Sequence, residues 1–373
     1  MGSPSVLDFD RLLSPIPGDC PAGAALKEDY SPGAPYYAIK DARSAARAAE
    51  RSLMWGGDAE SGGDRPDWRP VVELGIGILA ERSKDLEVAA WLTEALVRRH
   101  GYAGLRDGFR LIRALVENFW DDLHPRPDED GIPTRIAPLT GLNGEEGDGV
   151  LVGPIANVPI TTAGSYRAMS IADYRQAIDL ERIDDAQKRQ QRIDHGGVSL
   201  QMFETAVSET PLEHFQNIRE DLREALDAYR ELTSLLEAKC GQDDRGDSLA
   251  PPSSSIRNAL EECCAHLGNV TKHLFPDDAG ETPPASQSAG QPAAAPAGGF
   301  KRVETRAEAF QSLLQIAAFF KRTEPHSPVS YALEQAVRWG KLPLPELLSE
   351  LIADQGSREQ LFKLVGIQPP EKP

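Results

Sequence analysis

Cationic residues are in deficit. The chain of 373 residues carries 40 Lys and Arg against 58 Asp and Glu, a formal charge of −18, so it lacks the basic surface that releases counterions from phosphate backbones. Free nucleic acid is therefore excluded as an expected partner, and so is an anionic membrane surface. Long apolar runs are missing as well. No stretch approaches the roughly 20 uninterrupted apolar residues of a membrane helix, so no membrane insertion is expected. The opening residues bring Asp8, Asp10 and Arg11 in place of a cationic segment followed by an apolar one, so no signal peptide is read and a cytoplasmic location is expected. Cysteine is scarce: Cys20, Cys240, Cys263 and Cys264 show neither CxxC spacing nor the density of a disulfide scaffold. They are read as reduced thiols, and the Cys263-Cys264 pair lacks the electropositive surroundings that activate a thiol. Catalytic signatures are absent too: there is no GxGxxG after a strand, no Walker loop, no HExxH and no GxSxG. The expectation is a non-enzymatic protein with no cofactor.

What is present is helical periodicity, 40% hydrophobic residues, and enough length for two or three domains. Residues 276–299, PDDAGETPPASQSAGQPAAAPAGG, are mostly Pro, Ala, Gly and Ser with no aromatic side chain. Such a composition cannot offset the entropy of ordering its backbone and reads as a disordered, semi-stiff linker. The segment after it, Phe300 to Pro373, has ten Lys and Arg and nine Asp and Glu, which leaves a charge of −19 on residues 1–299. The acidity belongs to the larger N-terminal part.

Within that part, apolar residues recur at three- and four-residue spacing over Tyr37–Met54, Trp68–Ala80, Leu86–Val97 and Leu105–Trp120. The breaks are chemically explicit, Ser83 or Asp85 as an N-cap and His100-Gly101 as a stop, so consecutive helices are expected to pack as hairpins. Gly131 to Gly149 is rich in turn formers, and the following GVLVGPIANVPIT reads as a short strand or extended arm whose prolines confine pairing to an edge. Ser170-Ile-Ala-Asp173 and Thr210-Pro211-Leu212-Glu213 match the capping-box pattern, and each is expected to open a helix. Apolar residues from Leu212 to Leu236 predict a long helix ending at Cys240-Gly241, with Ser255 to Phe275 as its partner. After the linker, Thr305 to Glu308 caps a helix through Phe320, and Ser327-Pro328 starts another that reaches Trp339-Gly340. The reading is all-α: an N-terminal helical bundle over 1–165, helical pairs over 166–275, the linker over 276–299 and a small helical domain over 300–373.

Two clusters invite a chemical reading. In Phe119-Trp120-Asp121-Asp122-Leu123-His124-Pro125, Asp121 and His124 stand three apart like a metal-binding pair, with Asp128, Glu129 and Asp130 nearby. Two ligands do not make a site, and the simpler account has His124-Pro125 ending the helix and Trp120 packing the bundle. In Arg322-Thr323-Glu324-Pro325-His326-Ser327-Pro328, an acid, an imidazole and hydroxyls lie close in sequence. Adjacent residues rarely face one another, so a tight turn between helices, with Ser327 as a cap, is simpler than a nucleophile and base. Arg338-Trp339-Gly340 reads as core or as an interface. A module of about 70 residues has a marginal core, for which self-association is a usual remedy.

These blocks together resemble a family. Leu13 to Leu26, LSPIPGDCPAGAAL, followed by Tyr37-Ala-Ile39, Trp68 to Leu74, Ser83 to Ala89, Gly101 to Leu105 and Phe119 to Pro125, is similar to the ImpA N-terminal domain. The run from Phe319 through the RTEPHSP motif to Tyr331, with Ala336 to Leu344, resembles the end of TssA proteins of bacterial type VI secretion systems. The resemblance implies a baseplate-associated structural component that helps to recruit tube and sheath and to coordinate their polymerisation. It further implies a homo-oligomeric ring built by Phe300–Pro373, contacts with baseplate, tube, sheath and membrane-complex proteins, and a place at the inner face of the apparatus. On this reading Arg322, Thr323, Glu324, His326, Ser327, Tyr331, Arg338 and Trp339 are candidate interface or turn residues. Pro15, Pro21, Gly23, Trp120, His124 and Pro125 are structural motif residues. The alternatives are a helical adaptor or chaperone that binds one partner without a ring, and a metal-dependent hydrolase at Asp121 and His124.

Overall fold

In the computed structural model the chain divides into two compact units, Met1–Pro284 and Ala285–Pro373. The structure describes residues 2–54, 66–129, 131–145 and 147–275 of the first, and residues 310–311, 313–314, 316–318, 321, 328–342 and 347–348 of the second. The linker over 276–299 lies outside them. The fold is all-α, and among the described residues only isolated β-bridges join extended segments.

The first unit is built around α4 (Leu86–Phe119). A short α1 (Phe9–Leu13), α2 (Pro35–Met54) and α3 (Arg69–Glu81) precede it. Asp85 caps α4, accepting from the amides of Glu87 (2.7 Å) and Val88 (3.2 Å). The helical path of α4 breaks at Gly101, where φ is +57°. There the chain reverses. A side chain at Gly104 would meet the Leu96 carbonyl, and one at Gly108 would meet Thr93, 15 residues earlier. In a straight helix those pairs would stand roughly 12 and 22 Å apart, so residues 86–100 and 102–119 form an antiparallel hairpin. The hairpin predicted from the His100-Gly101 break is present, and Gly104 and Gly108 let its arms touch.

Beyond α4 lie α5 (Ile132–Asn143), α6 (Val152–Ala156), α7 (Ile171–Glu181), α8 (Ala186–Asp194) and α9 (Leu200–Glu209), followed by α10 (Leu212–Cys240) and α11 (Ser254–Thr271). α10 runs parallel to the second arm of α4, pairing Arg106 with Asp221, Arg110 with Glu224 and Arg113 with Glu231. α11 returns antiparallel to α10, with Arg230 on Glu261 and the Arg219 guanidinium over the Phe275 ring. One hydrophobic core runs through these helices except α8, from Leu7 and Leu12 through Leu92, Leu105 and Phe109 to Phe215, Leu260 and Leu267.

Three expectations change. The turn-rich stretch after Gly131 holds α5, because Arg135, Ile136, Leu139 and Leu142 fall on one buried face and Pro133 sits in the first turn, where its missing N–H is harmless. The stretch read as a strand holds α6. Leu151 and Ile155, both fully buried, are four apart, and the Ile155 amide donates to the Leu151 carbonyl. Thr210 does not cap α10; its hydroxyl donates to Ala206 O at the end of α9 (2.8 Å) and accepts from Thr162 N (3.0 Å). The Ser170 capping box, by contrast, forms in full.

In the second unit, α12 (Pro328–Lys341) starts at the expected proline. The described helical residues 310–311, 313–314, 316–318 and 321 lie against it in reverse sense, with Phe310 beside Gly340 and Lys321 bonded to Glu334 (3.2 Å) and over the Tyr331 ring (5.6 Å).

Candidate functional site

Three separate chain segments meet beneath the N-terminal signature. The loop after α1 closes on itself through Ile16 N to Pro21 O (2.9 Å), then runs past Ser83 as an antiparallel bridge at Gly23. The Lys84 amide donates to Ala22 O (2.7 Å), the His124 amide to Lys84 O (3.0 Å), and the Leu86 amide to His124 O (2.7 Å). His124 Nε2 lies 3.2 Å from Gly23 O. The imidazole thus joins the first segment to the third across the second. Arg135 of α5 holds the turn that follows α4, donating to the carbonyls of Trp120 (2.6 Å) and Pro125 (3.3 Å) while its guanidinium stacks 4.9 Å from the Trp120 ring centre.

Lys84 sits at the middle of this junction, fully buried. Its ammonium donates to Leu12 O and Leu79 O, each at 2.7 Å, and lies over the Phe119 ring. Both carbonyls are in the last turns of helices, where cations are favoured. Burial pushes the Lys84 ammonium down to about 8. Neither it nor Arg135 stood out in the sequence, since a lysine in a capping stretch and an arginine among turn formers look like surface residues.

Gly23, Trp120, His124 and Pro125 therefore come together, Pro21 lends its carbonyl to the same loop, and Pro15 stands exposed at its edge. Asp121 is exposed while His124 is buried, so the two do not share a face. Among the described residues no group of three or more His, Cys, Asp or Glu is placed to hold a metal ion. Of the C-terminal candidates, Tyr331 is 59% exposed and Arg338 is exposed on α12. Trp339 is half-buried, and the Gln335 amide, oriented with its oxygen toward the donors, accepts from Trp339 Nε1 (2.8 Å) and Arg338 (2.9 Å). Arg322, Thr323, Glu324, His326 and Ser327 lie outside the described residues.

A second polar cluster pins the N-terminal segment to α4 and α10. Ser3 donates from both its amide (2.8 Å) and its hydroxyl (2.6 Å) to Asp221, and Val6 N donates to Asp107 (2.6 Å). Arg106, 2% exposed, bonds Asp107, Asp221 and the Ser3 carbonyl together.

Cys240 and Cys263 are buried in the core, and Cys264 packs against it. Burial pushes Cys240, Cys263 and Cys264 each up to about 11. In the unfolded chain these thiols ionise first, so their contribution to stability is complete below pH 9 and is lost as pH rises toward 11. Lys84 acts oppositely: it gives up its proton first in the folded chain, so its contribution grows from pH 8 to about 10.5. Three thiols outweigh one lysine. Stability is expected to fall above pH 9 by on the order of 2 kcal/mol per pH unit, measured as urea midpoints at pH 8, 9 and 10. Replacing Cys240, Cys263 and Cys264 by Ala is expected to flatten that fall; an unchanged slope would assign it to the buried Tyr102 and Tyr229, which burial also raises.

Comparison with known proteins places this architecture. The ImpA N-terminal family of the type VI secretion system matches residues 13–144. The type VI secretion system component TssA1 of Pseudomonas aeruginosa is 28% identical over 363 residues, covering 94% of this chain and 96% of its own. The solved N-terminal domain of the TssA component of Burkholderia cenocepacia, which includes the conserved ImpA_N region, superposes with a TM-score of 0.59 at 26% identity. That match covers 73% of this chain and 96% of the Burkholderia domain. No helix among the described residues is long and apolar enough to cross a membrane. With the signature residues gathered at one junction and the likeness running nearly end to end, the chain is similar over both its units to TssA components of the type VI secretion system, and its residues 13–144 match the ImpA N-terminal family.

Proposed function

We propose that the protein is a non-enzymatic assembly component whose C-terminal region joins copies into a ring and whose ImpA-like domains, tethered through residues 276–299, engage the secretion apparatus from the cytoplasmic side. The bound components would be baseplate, tube, sheath and membrane-complex proteins, and the task would be to recruit tube and sheath and to coordinate their growth. The observation that carries this reading is the extent of the likeness to TssA1, which spans both units and not the ImpA domain alone. Charge supports the division of labour. The C-terminal part, near +1, can pack against copies of itself without the repulsion that domains near −19 would meet. Several tethered domains on one ring raise their effective concentration at a shared target, so weak single contacts add to firm attachment. The eight candidate interface residues keep that role here, with Gly23, Trp120, His124 and Pro125 assigned to holding the domain together.

Light scattering across the eluting peak of the full chain tests the ring. A closed assembly is expected at micromolar concentration, and Arg338→Glu together with Tyr331→Ala, both exposed on α12, is expected to shift it to smaller species. A monomeric full chain would make the single-partner adaptor the better account. A full-size assembly in the double variant would remove those two side chains from the interface.

A further inference from the structure

α2 buries Tyr36, Ile39 and Ala46, and beside that face it carries Lys40, Arg43, Arg47 and Arg51. Spacings of three, four and four set these cations in one stripe, and like charges so spaced repel one another along a helix. Opposing charge is present but incomplete. Arg43 Nε bonds Glu94 Oε2 (2.6 Å), and from α4 Arg98 Nε bonds Glu50 Oε1 (2.6 Å). Arg47 stops 3.7 Å from Glu94 Oε1, beyond hydrogen-bond reach. Lys40 and Arg51 are exposed, and among the described residues neither has an ion-pair partner. Burial, together with the cations Arg43, Arg98 and Arg51, depresses the Arg47 guanidinium below its ordinary range.

Glu94 is fully buried, and its Oε1 lacks a hydrogen-bond donor although Arg47 and Arg98 face it at 3.7 and 3.5 Å. The guanidiniums are held close to the carboxylate without being consumed by it. Indole rings back the array: Arg43 lies 5.4 Å from the Trp91 ring centre, Arg98 4.2 Å from that of Trp68, and Trp68 Nε1 donates to Glu50 (2.7 Å). Guanidiniums stacked on rings lose little freedom on meeting a carboxylate, and arginine with tryptophan is the composition of binding hot spots.

We infer that this stripe of α2 is a docking surface for an acidic segment of a protein partner, with Lys40, Arg47 and Arg51 receiving its carboxylates and Arg43 and Arg98 holding the platform. Charge complementarity selects the occupant. A chain of −18 repels an acidic segment over most of its surface, so a patch with surplus positive charge sets where the segment can land. The stripe is about 16 Å long, a match for a few turns of peptide and short for a nucleic-acid track. The inference concerns the first unit alone and does not depend on ring formation.

The test uses the full chain and a fluorescent Asp/Glu peptide of about twelve residues, followed by anisotropy and by tryptophan emission at low and physiological salt. Saturable binding that weakens with salt is expected. Lys40→Glu with Arg51→Glu, and separately Arg47→Gln, are each expected to weaken it by about tenfold or more. A control reversal on α8, Lys188→Glu with Arg192→Glu, is expected to leave it unchanged. Lys40 and Arg51 are exposed, and an unshifted thermal midpoint for their variant separates lost binding from lost folding. The inference is overturned by no binding at low salt, or by equal loss in the α8 control. It is also overturned by an oligonucleotide of equal charge competing better than the peptide, or by sulfate displacing it at matched charge, which would leave a simple anion site.

Discussion

Arg106→Met is expected to destabilise the first unit by about 3–5 kcal/mol, the range for removing one partner of a buried ion pair. The guanidinium, 2% exposed, binds Asp107 at 2.8 Å and Asp221 at 3.0 Å, pairs with the Glu224 carboxylate at 3.3 Å, and donates to the Ser3 carbonyl at 2.9 Å. Methionine fills much of the space but leaves Asp221, 3% exposed, without its cation and Asp107, fully buried, with only the Arg110 guanidinium at 4.0 Å. Two buried carboxylates side by side are far costlier than the lost contacts themselves. Lysine is expected to restore little, since a point charge cannot span three acceptors in the plane that the guanidinium fork covers. The check is chemical denaturation of the three proteins, with amide exchange at Ser3 and Val6 reporting whether the N-terminal segment lifts off. A loss below about 1 kcal/mol would show that water or a rearranged Arg110 takes over the charge. Surface pairs mark the contrast: Arg182 with Asp179, both more than two-thirds exposed, is expected to contribute under about 0.5 kcal/mol.

Gly23→Ala is expected to cost about 2–4 kcal/mol, and its effect should concentrate at the signature junction. Gly23 has φ of +76°, and a Cβ there would stand 2.2 Å from the Arg82 carbonyl oxygen. The left-handed backbone accounts for about 1–2 kcal/mol of the expected loss, and relieving the clash requires pulling the loop off Ser83, which accounts for the rest. That movement would break the Lys84 N to Ala22 O bond and release the carbonyl facing His124. Circular dichroism should keep its helical signal while the thermal midpoint drops. Gly18→Ala is the control: it also has positive φ, 134°, but its Cβ would meet nothing within 4 Å, so only the backbone component is expected.

The elements that sequence reading found are those whose apolar residues declare a period. α4, α10 and α11 each bury an unbroken stripe, and their ends carry explicit chemistry in Asp85, Gly101 and Gly241. α5 was hidden because Pro133 and Pro138 look like breakers, yet the first sits where no amide is needed and tertiary burial of Ile136 and Leu139 overrides the second. α8 offers no apolar period at all, since none of its residues is buried, and only its Asp185 cap marks it. The signature junction was visible as a set of residue types, but not as a contact. Gly23 and His124 are 101 residues apart, and their meeting depends on Lys84, whose burial no local pattern announces. The same holds for Asn143, fully buried, whose side-chain oxygen accepts from Ile256 N across 113 residues. Polar pins between distant segments are set by tertiary placement, so the sequence shows their members without their pairing.

The fastening of Ser3 to Asp221 spans 218 positions, and that distance has a meaning in time. At about 5–20 residues per second, a ribosome needs roughly 10–40 s after making the third residue before it reaches α10. Through that interval the ImpA portion can form its hairpin and Asp107 can already hold Val6, but Arg106 lacks its Asp221 and Glu224 partners and the amide and hydroxyl of Ser3 have no acceptor to close upon. Completion of the domain therefore waits for a helix encoded well beyond residue 144, and a message truncated between the two would yield a bundle with its charged seam open to solvent.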